Sequence, residues 1–280
     1  MKPEGPIDRL QLGRLVANQR IIMSLSENVN SRREGHVGVV ELDAPPHNYF
    51  SLNMLKAINA CLENFENDQK VRSVILCANG RSFCAGADLN SGESKQKRRH
   101  KSEINPLYQE AYKLFVFPKP IVAALEGSAI GGGLGLALTA DFRVSCKEAK
   151  FAASFTRLGF HPGFGLSYTL PKLVGNQQAS LLFYTGRIIR GDEAKSMGLV
   201  DILVDRAHVK TEAMALASEI AISSPRAVQS IRQTMRRELG DEVFLAMKRE
   251  SRVQAIQFAS KDIEEGVKAM SERRLPVFGD

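Results

Sequence analysis

Apolar residues recur in two distinct spacings along the first part of the chain. Residues 37–42 are almost continuously apolar and are followed by Pro45-Pro46, which predicts a strand that ends before the prolines. From position 52 to 65, apolar residues return every three or four positions, which predicts a helix with one buried face. Ser51 stands directly before this helix, at the position where a side-chain oxygen caps the free N–H groups of the first turn.

The same two spacings alternate through the next hundred or so residues. Apolar runs at 71–77, 121–125 and 142–146 predict buried strands. Helical spacing over 104–115 predicts a helix between the first two of these runs, and a further helix is expected to start at 136–138. Strands that alternate with helices favour parallel βαβ units, so the predicted fold class is α/β.

The last third of the chain has mainly the spacing of helices. Asp192 is predicted to cap a short helix that stops at Gly198, and 199–204 is predicted to form a last strand. Ser224-Pro225 pairs an N-cap residue with a proline at the first helical position. Helical patterns then cover 226–239, 242–258 and 262–273.

These patterns divide the chain into three parts. We predict a loosely ordered N-terminal extension over 1–35, an α/β core over 36–204 and a helical C-terminal subdomain over 205–280. With 280 residues, 44% of them hydrophobic and 25% charged, the chain has the composition of a globular protein with a sizeable core.

Net charge indicates the kind of partner, and cysteine content indicates the compartment. The net charge of +7 favours anionic partners, of which coenzyme A and nucleic acid are both candidates. The four cysteines lack the spacing of a metal site or a disulfide framework, so we expect reduced thiols in a cytoplasmic protein. No apolar run approaches the roughly 20 residues that cross a bilayer, and the start of the chain does not have the pattern of a secretory signal.

Two glycine-containing segments carry the candidate chemistry. Phe83-Cys84-Ala85-Gly86-Ala87-Asp88 and the glycine-rich stretch 127–135 each follow a predicted strand. Backbone N–H groups that are free at such turns can converge on one oxygen, as the carbonyl of a thioester needs when it becomes an enolate or a tetrahedral anion. The alternative is that these glycines only permit tight turns. The spacing of a dinucleotide-binding G-x-G-x-x-G loop is absent from 127–135.

The pairing of the two segments resembles the crotonase superfamily, which is also called the enoyl-CoA hydratase/isomerase family. The sequence F-C-A-G-A-D at 83–88 is followed by E-G-S-A-I-G-G-G-L-G at 126–135. Further stretches resemble the family in the same order, from about residue 37 to 278. They are 118–124, 140–143, 173–175, 185–187, 193–200, 265–266 and 273–278.

This resemblance implies a crotonase-like superhelix of ββα units with a C-terminal helical trimerisation region, assembled as a homotrimer or hexamer. It implies an acyl-CoA substrate, of which coenzyme A is a part, and no separate cofactor, metal or membrane partner. The N–H groups of Ala87 and Gly132 would form an oxyanion hole. The other residues that it implies for substrate binding are Ala85, Gly86, Asp88, Leu89, Gly131, Phe155 and Gly163.

The chain departs from the family at its acid/base positions. Gly135 and Phe155 stand where hydratases of the family carry two glutamates, and Gly163 stands where some isomerases and dehalogenases carry a carboxylate. General acid–base catalysis contributes about 10²–10⁴-fold to a rate, so ordinary enoyl-CoA hydration is expected to be weak. His161 is the remaining candidate base; the alternative is that it packs against Pro162 and bonds its own loop.

Three functions are consistent with these residues. They are an acyl-CoA enzyme with non-standard side chains, a CoA-ester binding protein without catalysis and an RNA-binding protein on the same fold. A basic run follows the first glycine segment and is either a solvated loop or a contact for CoA phosphates. It consists of Lys95, Lys97, Arg98, Arg99, His100 and Lys101. Pro46-His47-Asn48 is interpreted as a turn.

Overall fold

The computed structural model describes residues 21–26, 28–88 and 104–279. Their strands form one sheet of seven strands and one of four. The strands are β1 (Ile21–Ser26), β2 (Val29–Glu34), β3 (Val37–Leu42), β4 (Ser73–Ala78), β5 (Ser82–Cys84), β6 (Ile121–Leu125), β7 (Ser128–Ile130), β8 (Phe142–Ser145), β9 (Lys150–Ala152), β10 (Ile189–Arg190) and β11 (Ile202–Leu203).

Helices connect and cover these strands. They are α1 (Leu52–Asn67), α2 (Pro106–Val116), α3 (Gly132–Ala137), α4 (Leu166–Val174), α5 (Asn176–Thr185), α6 (Gly191–Ser196), α7 (Val209–Ile222), α8 (Pro225–Met235), α9 (Leu239–Gln257) and α10 (Lys261–Ser271). The cap predicted for α1 is confirmed, because the Ser51 side chain accepts a hydrogen bond from the Met54 N–H at 3.2 Å.

The order of the two sheets explains the architecture. The large sheet runs β1-β2-β3-β4-β6-β8-β11, and the small sheet runs β10-β9-β7-β5. The chain therefore passes three times from a strand of the large sheet to a strand of the small one, at β4–β5, β6–β7 and β8–β9. Pairing from β3 to β11 is parallel in the large sheet, and β5, β7 and β9 are parallel in the small one. This repeating arrangement confirms the predicted α/β superhelix.

The chain differs from the sequence prediction at its start. The extension predicted over 1–35 overlaps β1 and β2, and β2 pairs antiparallel with β3 along its whole length. The burial of Val29 and Ser31 gives the reason, since alternate residues of β2 face the core. Asn30, the polar residue between them, lies on the other face of the strand and is only partly buried.

Three local predictions are also corrected. The helix expected to start at 136–138 begins at Gly132 and ends at Ala137, directly after the second glycine turn. Arg190, not Asp192, is the N-cap of α6, and Asp192 lies in its first turn. The last strand, predicted over 199–204, is confined to Ile202–Leu203, the two residues that pair with Val144 and Ser145 of β8.

The C-terminal helices pack onto the core. Helix α7 lies against the large sheet, where the Ser73 hydroxyl donates a hydrogen bond to the Ala217 carbonyl at 2.7 Å. Helix α9 packs against α2 and α4, and its Glu250 accepts hydrogen bonds from the backbone N–H groups of Gly165 and Ser167 at 2.8 and 2.9 Å. The helical region after residue 205 thus helps to position the loop that precedes α4.

Candidate active site

Two glycine turns meet at the same edge of the small sheet. Strand β5 ends at Cys84 and leads into the first turn, and β7 ends at Ile130 and leads through Gly131 into α3. These two strands are parallel neighbours, with Cys84 opposite Ala129. Because the carboxyl ends of parallel strands lie together, the fold brings the two segments that the sequence singled out into direct contact.

The contact between the turns is close enough to require glycine. A Cβ atom on Gly86, whose φ is +86°, would lie 3.0 Å from the Ile130 carbonyl oxygen and 3.6 Å from the Gly132 nitrogen. A Cβ atom on Gly133 would lie 2.0 Å from the Cys84 carbonyl oxygen. The backbone of the second turn therefore packs directly on the backbone of the first, with no room for side chains between them.

A third segment holds the first turn in place. The Ala85 N–H donates to the His47 carbonyl oxygen at 3.0 Å, and the Phe50 N–H donates to the Gly86 carbonyl oxygen at 3.0 Å. Asn48 lies between them in a left-handed conformation, with φ of +49° and no exposed surface. This anchoring role was missed by the interpretation of Pro46-His47-Asn48 as a turn; the signal was the asparagine itself, which adopts positive φ more readily than most residues.

The Asn48 side chain bonds three backbone groups. Its Oδ1 accepts from the Ala44 N–H at 2.8 Å, and its Nδ2 donates to the carbonyl oxygens of Asn79 at 2.6 Å and Ser82 at 2.8 Å. The last two residues flank the turn that leads into β5. Asn48 thus ties the chain before α1 to the strand that carries the first glycine turn.

A cavity of about 1010 Å³ opens beside the two turns. It is lined by Ala85, Gly86, Ala87 and Asp88 of the first turn and by Gly131 and Gly132 of the second. Six aromatic or large apolar side chains form much of the remaining wall. They are Phe50, Phe155, Leu158, Phe160, Phe164 and Phe258. The cavity combines backbone polar groups from the turns with an apolar wall, as is typical of small-molecule sites.

Most of the predicted site residues line this cavity. Besides the two turns, Phe155 and Gly163 are part of its wall. Leu89 and the basic run 95–101 lie outside the described residues. The residues that the sequence singled out on the two turns thus surround one cavity, together with Phe155 and Gly163.

Aromatic side chains fill the space at Gly135, Phe155 and Gly163, the three positions that the family resemblance matched to carboxylates. A Cβ atom on Gly135 would lie 2.7 Å from the Cβ of Phe164, and one on Gly163 would lie 1.8 Å from the Tyr108 hydroxyl oxygen. Phe155 is itself only 6% exposed and packs edge-on against Phe160, with ring centroids 5.5 Å apart. Each position is thus filled by an aromatic residue.

His161 is not brought into the cavity lining. Its ring Nδ1 lies 2.8 Å from the Pro162 carbonyl oxygen, and its N–H donates to Gln257 Oε1 at 2.7 Å. Its own carbonyl oxygen accepts from Gln254 Nε2 at 2.8 Å. These contacts match the alternative in which the histidine bonds its own loop, and they give no support to its role as a base.

Burial controls the titration of the nearby acidic groups. Burial raises the pKa of Tyr108, and the charge of Glu250 adds to the effect. Burial also raises the pKa of Glu250, opposed by hydrogen bonds from Ser167 and Gly165. At the first turn, burial raises the pKa of Tyr49, and the charge of Asp88 adds to it. Both tyrosines therefore stay protonated and uncharged at neutral pH.

Gly133→Ala is expected to lower the free energy of unfolding by about 1–3 kcal/mol or to prevent folding, because the new methyl group meets the backbone carbonyl of Cys84 and not a movable side chain. Gly279→Ala is the matched control, since nothing lies within 4 Å of a methyl group there. Urea denaturation of both variants measures the difference. Equal stability of the two would contradict the close packing of the turns.

Comparison with known proteins agrees with this architecture. A sequence model of the Enoyl-CoA hydratase/isomerase family matches residues 32–280. The chain is 32% identical to a short-chain-enoyl-CoA hydratase of Clostridium acetobutylicum, over 88% of this chain and 95% of that protein. It is 31% identical to a crotonyl-CoA hydratase of Syntrophomonas wolfei, over 90% and 98% of the two chains.

A solved structure shows the same fold. The crystal structure of an enoyl-CoA hydratase/isomerase from Pseudoalteromonas atlantica matches with a TM-score of 0.81 and 31% identity, over 90% of this chain and all of that one. The two sheets and the C-terminal helical region thus have the crotonase fold. The chain belongs to the enoyl-CoA hydratase/isomerase family.

Among the described residues, none of the helices is both long and apolar enough to span a bilayer. Each of the four cysteines is free and buried.

Proposed function

We propose that this protein is an acyl-CoA enzyme that holds the thioester carbonyl oxygen between the backbone N–H groups of Ala87 and Gly132. The observation that carries the proposal is the meeting of the two glycine turns, where the Gly132 nitrogen lies 3.6 Å from a Cβ position on Gly86. Both donors belong to residues that line one cavity. Among the described residues, neither N–H donates to another backbone carbonyl.

Two such donors stabilise the negative charge that develops on the carbonyl oxygen in an enolate or a tetrahedral intermediate. One donor of this kind is worth about 2.7–4 kcal/mol of transition-state stabilisation. The stabilisation comes from the backbone, so it persists when the acidic side chains of the family are replaced. The proposed enzyme therefore retains oxyanion stabilisation and lacks the usual glutamates at positions 135 and 155.

The direct test of binding compares two ligands that differ at one group. An acyl-CoA thioester and the corresponding thioether, in which a CH₂ replaces the carbonyl, are titrated by calorimetry. Two hydrogen bonds of about 0.5–1.5 kcal/mol each predict that the thioester binds roughly 5-fold to 100-fold more tightly. Equal affinity for the two ligands would count against the oxyanion hole. Binding without turnover of any acyl-CoA would indicate a CoA-ester binding protein.

Hydration of crotonyl-CoA is expected to be at least about 100-fold slower than by a hydratase with both glutamates, because Phe155 and Gly135 cannot move the proton of water. Loss of the conjugated thioester absorbance measures the rate. The Clostridium acetobutylicum relative, assayed in parallel, is the positive control. A rate equal to that of the relative would show that another group replaces the glutamates.

We also propose a homotrimer, or a hexamer made of two trimers, in the cytoplasm. Large apolar side chains that are exposed on the C-terminal helices support the assembly, among them Ile231 at 61%, Met235 at 78% and Ile256 at 73% exposure. The free, buried cysteines support a reducing compartment. Light scattering coupled to size-exclusion chromatography distinguishes the trimer and the hexamer from a monomer.

A further inference from the structure

The wall of the cavity beside the second glycine turn is aromatic. The ring of Phe155 lies 3.8 Å from a Cβ position on Gly131. Phe160 packs against both Phe155 and Phe258, with ring centroids 5.5 and 5.1 Å apart. An acyl group whose thioester carbonyl is held at the turns therefore extends along hydrocarbon surface, and its burial there is favourable.

Two uncharged polar side chains lie in the same lining. Tyr108 of α2 and Gln254 of α9 both line the cavity and are 7% and 3% exposed. The Tyr108 hydroxyl fills the space of a side chain at Gly163, where its oxygen is 1.8 Å from the Cβ position. A phenol thus fills the space that a side chain at position 163 would need.

The two side chains fix each other. The Tyr108 hydroxyl donates to Gln254 Oε1 at 2.8 Å, and Gln254 Nε2 donates to the His161 carbonyl oxygen at 2.8 Å. The Tyr108 hydroxyl also accepts a hydrogen bond from the Phe164 backbone, which leaves one lone pair on its oxygen, and Gln254 has a second N–H besides the one on the His161 carbonyl. The pair can therefore offer one acceptor and one donor to a ligand. Burial raises the pKa of Tyr108, which keeps the phenol neutral.

The described residues of this part of the wall carry no charge. The described lining residues of α2, of α9 and of the segment 155–164 are all uncharged. An acyl group that ends in a carboxylate would lose its hydration there and gain no cation from these elements. Burial of an unpaired polar or charged group is strongly unfavourable.

We propose that Tyr108, held by Gln254, is a specificity-determining residue that selects acyl groups bearing one uncharged oxygen, a hydroxyl or a keto group, on an otherwise hydrocarbon chain. Acyl groups that end in a carboxylate are rejected. The inference rests on the proposed function, because it places the acyl chain in this cavity with its thioester at the two turns.

The test is a set of binding titrations with three kinds of ligand. The first is octanoyl-CoA, and the second is a series of hydroxyoctanoyl-CoA isomers that differ in the position of the hydroxyl group. The third is the CoA thioester of the eight-carbon chain that ends in a carboxylate. One hydrogen bond predicts that at least one hydroxylated isomer binds about 3-fold to 10-fold more tightly than octanoyl-CoA. The carboxylate ligand is expected to bind at least about 10-fold more weakly than octanoyl-CoA. Tyr108→Phe is expected to remove the preference for the hydroxyl.

Tyr112→Phe is the matched control. Tyr112 lies one turn further along α2, packs against Phe244 with ring centroids 5.3 Å apart and is not part of the cavity lining. This variant is expected to keep the preference of the wild-type protein. If Tyr108→Phe does not fold, the inference is tested by the wild-type affinities for the hydroxylated and carboxylate ligands relative to octanoyl-CoA.

Any of three results would overturn the inference: no hydroxylated isomer gains affinity, Tyr108→Phe keeps the preference, or the carboxylate ligand binds as well as octanoyl-CoA. Failure of octanoyl-CoA itself to bind would be a different result. It would contradict the proposed function, and the inference with it.

Discussion

Ala87→Pro is expected to lower kcat by about 10²–10³-fold for any acyl-CoA that the protein turns over. Proline has no N–H, so the substitution removes one of the two proposed oxyanion donors. Gly86, which precedes the site, has no Cβ atom for the proline ring to meet, and the hydrogen bond from the Phe50 N–H to the Gly86 carbonyl does not involve the N–H of Ala87. Steady-state rates with the best substrate of an acyl-CoA panel measure the effect.

Ala87→Val is the matched control, since it enlarges the exposed side chain and retains the N–H group. Its kcat is expected to stay well above that of Ala87→Pro. If the two variants lose activity equally, the side chain at this position matters and the amide does not. Circular dichroism of both variants shows whether either loss comes from unfolding.

Asn48→Ala is expected to lower the free energy of unfolding by about 3 kcal/mol or more. The substitution leaves three backbone groups without their hydrogen bonds, and each buried polar group that loses its partner costs about 1–3 kcal/mol. It also places alanine at φ of +49°, where a Cβ atom is unfavourable and asparagine is better tolerated. Chemical denaturation measures the difference.

Asn67→Ala provides the comparison for that result. Asn67 is exposed at the end of α1, and within the described part of the chain its side chain bonds only the Glu63 carbonyl one turn earlier. Its removal is expected to change the stability by less than about 0.5 kcal/mol. Similar effects of the two alanine substitutions would mean that Asn48 does not anchor the first glycine turn.

The sequence predicted the parts of the structure whose cause is local. The strand at Ile121–Leu125 follows from five consecutive apolar residues, and α1 follows from helical spacing behind Ser51. The two glycine turns could be predicted for a chemical reason, because few other residues allow a ligand to approach the backbone. The small sheet was not predicted from spacing, since β5, β7 and β9 are three residues long and too short for a period to show.

The residues that shape the cavity wall depend on tertiary structure. Tyr108 and Gln254 are 146 positions apart, and their contact exists only because α9 packs against α2. Phe164 fills the space beside Gly135 through a left-handed backbone, with φ of +64°, that no spacing rule anticipates. The orientation of His161 likewise depends on the Pro162 carbonyl and on Gln257, which lies far along the chain.

The most direct test of the proposed oxyanion hole is the infrared C=O stretch of an acyl-CoA labelled with ¹³C at the thioester carbonyl. Hydrogen bonds from the amides of Ala87 and Gly132 withdraw electron density from the carbonyl, so the band is expected at lower frequency in the complex than in water, with part of that shift lost in Ala87→Pro. A band that stays at its aqueous frequency in the wild-type complex would contradict the account.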